Sequence, residues 1–120
     1  YSTVADIEDA RHRALGELQI RMSILRGNRR SLKQSVENYQ AQAADMERAG
    51  KSVDVERLRA IESLQDEIAA TERDIEDRQR EIEALQKAFD ADIERFNMLR
   101  DVVELRQSLS AKSAKGGNTK

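Results

Sequence analysis

A chain of 120 residues with a formal net charge of −2, 37% charged residues and 3% aromatics is one domain at most, and it lacks the large apolar side chains that a globular core of that length needs. A linear core between long helices needs fewer, and the absence of Pro lets such helices run without kinks. The small net charge excludes a whole-chain basic field for nucleic acid or membrane, zero Cys excludes a disulfide framework and Cys-based zinc sites, and no apolar run is long enough to span a bilayer.

The first element is a helix over about residues 3–48. Leu15, Met22, Arg29, Val36 and Ala43 share one heptad position, and Leu18, Leu25, Leu32, Tyr39 and Met46 share the other. RAGKSVDV, residues 48–55, interrupts the series and predicts a turn at about 49–53. Gly50 tolerates positive φ and suits a helix C-cap, while Ser52 or Asp54 suits the N-cap of a second helix. That helix is expected over about 54–110, about 85 Å at 1.5 Å per residue. Ile61, Ile68, Ile75, Ile82, Phe89, Phe96 and Val103 hold one of its positions without a break, and the companion position reads Leu64, Thr71, Arg78, Leu85, Asp92 and Leu99. Residues 111–120 are small, polar and basic and read as a disordered tail.

A short turn makes the two helices antiparallel. The expected fold is therefore all-α: a long antiparallel helical hairpin that assembles as a dimer into a helical bundle. Centring the layers on Gly50 sets Tyr39 opposite Ile61, Leu32 opposite Ile68, Leu25 opposite Ile75 and Leu18 opposite Ile82, so the core seam is Leu18, Leu25, Leu32, Ile68, Ile75, Ile82 and Phe89. A register one heptad longer places Arg29 against Arg78 and is disfavoured by repulsion. Leu99, Val102, Val103, Leu105 and Leu109 fall beyond the reach of helix 1, and Ile20 and Ile24 lie off its seam beside Gly27. These apolar groups ask for cover and form the candidate oligomer interface, with a second copy or another helical protein as the partner.

No residue carries a catalytic, cofactor or metal assignment. AGKS (49–52) has the GK[ST] ending of a phosphate-binding loop, but position 45 is Asp where that loop needs Gly, and a helix rather than a strand leads in. His12 is the only histidine, and Glu8 one turn away does not complete a ligand set. A non-enzymatic protein is expected. RGNRRSLK (26–33) is the one basic cluster. Its Arg26, Arg29, Arg30 and Lys33 are candidate anion-binding residues, set against the plainer reading of a solvated face balanced by Asp74 or Glu72 of helix 2. No aromatic is interleaved with them, which disfavours single-stranded nucleic acid.

The turn MERAGKSVDVERL (46–58), the charged helix after it and FDADIERFNMLR (89–100), with its Glu94-Arg95-Phe96 motif, resemble the helical hairpin of the BAR region of sorting nexins. The resemblance covers roughly residues 15–100. It implies a dimer with a curved cationic face that senses membrane curvature, in which Arg26, Arg29, Arg30 and Lys33 would meet lipid. The last helix of that family continues much further, whereas this chain runs into a Gly-Ser-Lys tail. The expected function is thus a coiled-coil structural or interaction module that mediates oligomerisation or tethering in a larger assembly. A BAR-like membrane-binding segment facing anionic lipid is the alternative, and a cytoskeletal or nucleic-acid binder using the Arg cluster is weaker still. An intracellular setting, cytoplasmic or membrane-peripheral, is expected.

Overall fold

The computed structural model describes residues 2–117, as two helices, α1 (Val4–Arg48) and α2 (Val55–Gly117). Among the described residues there is no strand. The helices form a hairpin. Helix termini leave amides and carbonyls unpaired, and caps at the start of α1 and on both sides of the turn satisfy them.

α1 begins with a reciprocal cap. Thr3 Oγ1 accepts the Asp6 amide at 3.1 Å, and Asp6 Oδ2 accepts the amides of Thr3 and Ser2, each at 3.2 Å. Its other end is a Schellman closure. The Lys51 amide donates to the Met46 carbonyl at 2.9 Å and the Gly50 amide to that of Glu47 at 3.0 Å, with Gly50 at φ 74°. A Cβ at Gly50 would meet nothing within 4 Å, so an L-residue there carries only the left-handed backbone cost, about 1–2 kcal/mol.

Asp54 precedes α2, and its carboxylate accepts Arg57 Nη1 at 2.7 Å. That bond, with the backbone amides of Asp54 and Arg57, holds the Asp54 carboxyl below the ordinary aspartate value. A lowered folded-state value means the cap is fully effective above the unfolded value and is lost as pH falls through the folded one. Arg57 also reaches across the turn, to Gln42 Oε1 at 3.0 Å and Met46 Sδ at 3.2 Å. One side chain thereby ties the start of α2 to the end of α1.

The chain divides into two compact units. The first to describe, Gly16–Ile82, contains the turn. Leu18, Met22, Val36 and Ile82 are buried here, and Leu25, Leu32, Ile68 and Ile75 are half-buried. A seam between only two helices shields each side chain from one side, which leaves several of them partly wet. Lys33 Nζ lies 3.5 Å from Glu72 Oε1 across the seam, and Arg78 lies beside Arg21 and Leu25 rather than Arg29. Both placements fit the register in which Leu25 faces Ile75 and avoid the repulsive one.

The other unit joins the residues up to Leu15 with those from Glu83 on. Ile7, Leu15 and Phe89 are buried, and Ile7 is the most enclosed side chain, 1% exposed. Arg11 Nη1 pairs with Asp90 Oδ1 at 2.8 Å. The heptad spacing changes here. Extending it upstream from Leu15 points to Glu8, which is exposed; instead Val4, Ile7 and Arg11 line the seam, each eleven residues before Leu15, Leu18 and Met22. Four added residues of this kind locally unwind the supercoil.

α2 also departs from expectation at its end. It stays helical through residues 111–117 rather than giving way to a tail after Ser110. Ala111, Lys112, Ser113 and Ala114 carry no helix breaker and simply propagate a helix already nucleated upstream. The rest of the expected tail, residues 118–120, lies outside the described residues.

Replacing Ile75 by Asp places an uncompensated carboxylate on the seam and is expected to lower stability by about 3 kcal/mol. Glu76→Ala, on the exposed side, should change it by less than ~0.5 kcal/mol. Thermal melts by circular dichroism compare the two, and equal melting temperatures would mean that the seam lies elsewhere.

Candidate functional site

The largest chemical feature of the unit built around the chain ends is an apolar face that α1 does not cover. α1 shields α2 as far as Phe96, which is half-buried, and a cavity of about 210 Å³ lined by Ile7, Asp92, Arg95, Phe96 and Leu99 marks the limit of that cover. Beyond it Leu99, Val102, Val103, Leu105 and Leu109 are between 46% and 62% exposed. Met98, not singled out from the sequence, joins them at 62%. Leu99 and Val103 prolong the line that faces α1. Met98, Val102, Leu105 and Leu109 fall at spacings of four, three and four residues and form a separate line, a heptad signature legible in the sequence had both lines been traced. Their helix propensity keeps the segment helical, but nothing among the described residues takes its apolar side chains out of water.

Ile20 and Ile24, in the unit containing the turn, are likewise exposed, and Ile24 borders a surface cavity at the edge of the seam with Arg21, Leu25, Asp74 and Arg78. A Cβ built on Gly27 meets nothing within 4 Å, so no described backbone of this chain uses the close approach that Gly27 permits.

The basic cluster is divided by the structure. Lys33 is paired with Glu72. Asp74, the other carboxylate expected to balance the cluster, lies 4.0 Å from Arg78 of its own helix, which also holds Glu81 at 2.6 Å. Arg26 and Arg30 are exposed and Arg29 half-buried, and no ion pair joins these three to other described residues. In the Glu94-Arg95-Phe96 motif, Phe96 packs toward α1 while Arg95 points to Asp92 at 3.9 Å.

The AGKS turn has little to offer a phosphate, because the amides of Gly50 and Lys51 are consumed by the Schellman bonds. His12 is exposed. Among the described residues no group of three or more His, Cys, Asp or Glu is placed to hold a metal ion, and no helix is long and apolar enough to cross a membrane. Comparison with protein-family models, with curated proteins and with solved structures gave no match.

Proposed function

We propose that the chain is a non-enzymatic helical-hairpin module that self-associates and thereby oligomerises or tethers parts of a larger assembly, in a cytoplasmic or membrane-peripheral setting. The observation that supports this reading is the apolar face of α2 beyond Phe96, whose large side chains are about half exposed or more. An isolated helix of this length is marginal in water. Fully burying each Leu or Val against a partner contributes ~1.5–3 kcal/mol relative to exposure. Four or five such groups on one face are enough to drive helix–helix association. Ile20 and Ile24 offer a second apolar patch for higher assembly.

Sedimentation over a wide concentration range tests the proposal. A dimer or larger species is expected, and Leu99→Lys combined with Leu105→Lys should dissociate it while Ile20→Lys leaves it intact. A monomer at tens of micromolar would sink the reading.

A second reading, a BAR-like segment that binds anionic membrane, draws on Arg26, Arg29 and Arg30, which carry charge without an ion-pair partner among the described residues. Cations of this kind near an anionic leaflet contribute about 1 kcal/mol each. On this reading the chain co-sediments with phosphatidylserine vesicles, and changing the three arginines to Glu abolishes it. Equal pelleting of both proteins, or of neither, rules the lipid reading out.

A further inference from the structure

A second heptad line runs along α2 beside the one that faces α1. Ala84, Ala88 and Ala91 begin it at spacings of four and three residues. Arg95 follows after four, and Met98, Val102, Leu105 and Leu109 continue at three, four, three and four. Every one of these positions is exposed. At 100° per residue the line lies about a third of a turn around the helix from Ile82, Phe89 and Phe96. It is therefore a distinct surface, not an overhang of the first seam.

We propose that this line is the seam of a parallel dimer, in which α2 of a second copy lies in register beside α2 over residues 84–109. The proposal rests on the self-association reading above and adds the partner's identity, its direction and its register.

The core residues favour two parallel strands. In the heptad frame Val102 and Leu109 occupy a positions, and Met98 and Leu105 occupy d positions. A β-branched residue at a followed by Leu at d, as in Val102 and Leu105, is the combination that selects a two-stranded parallel coil. Ala84, Ala88 and Ala91 let the two backbones approach closely where α1 already packs on the neighbouring side of α2. Larger side chains take over where α1 has ended.

The flanking charges separate parallel from antiparallel. In a parallel pair each g residue meets the e residue five positions later on the other chain. Lys87 then faces Asp92 of the second copy, and Asp101 faces Arg106 of the second copy. Two-fold symmetry repeats both attractive pairs. Antiparallel packing pairs g with g. Of the three antiparallel registers of longest overlap, one sets Glu94 against Asp101 twice. The other two set Glu94 against Glu94 or Asp101 against Asp101 and only offset that repulsion with Lys87–Asp101 or Asp92–Arg106 pairs, whereas the parallel pair carries no like-charge contact. Exposed pairs of this sort add little affinity, but they decide orientation.

Arg95, the one charged residue on the line, stands at an a position. Asp92 of the same helix lies 3.9 Å from it, and Glu94 of the second copy flanks it in the parallel arrangement. A single charged a residue weakens a coiled coil while fixing its register and strand number.

The chain has no Cys, so a single introduced Cys reports one position. Val102→Cys places the thiol where residue 102 of one copy meets residue 102 of the other only if the strands are parallel and in register. Leu99→Cys sits at an e position, which meets its own counterpart in an antiparallel register. After sedimentation establishes the size of the species, both variants are oxidised with copper–phenanthroline and run on a non-reducing gel. The parallel seam predicts a dimer that cross-links at least several-fold faster through Val102→Cys than through Leu99→Cys, with Leu105→Cys behaving like Val102→Cys. A dimer in which neither Val102→Cys nor Leu105→Cys cross-links faster than Leu99→Cys overturns the parallel seam and leaves self-association standing. A monomeric chain overturns both.

Discussion

A long helix in water holds together only where its apolar stripe is covered, and in this hairpin the cover is set by how far α1 reaches along α2. Nucleating a helix is unfavourable and propagation alone returns little, so packing supplies most of the stability. α1 has 45 residues and α2 has 63, which guarantees that part of α2 outruns its partner. The turn decides which part. The Schellman bonds at Gly50, the cap at Asp54 and the reach of Arg57 to Gln42 and Met46 fix where the register starts. Within the unit built around the chain ends, the pairing of α1 with α2 reaches Ile7 and Phe96, and the exposed apolar residues from Met98 to Leu109 are left to another molecule or to water.

The seam itself is modest. Leu25, Leu32, Ile68 and Ile75 are only half-buried, so each yields a fraction of the ~1.5–3 kcal/mol of full burial. The charged surface adds little more. Most ion pairs join residues three or four apart on one helix, as in Arg80–Asp77, Arg95–Asp92 and Arg48–Asp45, and such exposed pairs are worth ~0.3–0.5 kcal/mol. Arg11–Asp90 and Lys33–Glu72 bridge the two helices as ion pairs. Cover from a second copy would therefore be a large addition to a thinly stabilised hairpin, which is the physical basis for reading the exposed face of α2 as the working surface.

The heptad reading of the sequence led to Leu18, Ile82 and Phe89, which are buried, and to Gly50, which has positive φ. A periodicity carried by Leu, Ile and Phe over many turns survives any local irregularity. Ile7 was missed because an eleven-residue step replaces the seven-residue one upstream of Leu15, and extrapolating the heptad lands on Glu8. Met98 and the alanines at 84, 88 and 91 were missed because a single seam was followed, and Ala contributes little to a hydrophobic pattern. The role of Arg57 was hidden by its charge: a polar residue at a seam position looks like a gap until its hydrogen bonds are seen. The pairing of Asp74 could not be read either, since Arg78, four residues along the same helix, competes with the basic cluster for it at no cost in chain closure.

Amide hydrogen exchange along α2, measured by mass spectrometry at two protein concentrations, tests the dependence on cover most directly. Residues 61–82 should be protected equally at both, because α1 covers them within the chain. Residues 98–109 should exchange rapidly when dilute and become protected when concentrated, because on the proposed function their cover comes from another copy. Protection of 98–109 that does not change with concentration, whether high or absent, would contradict the account.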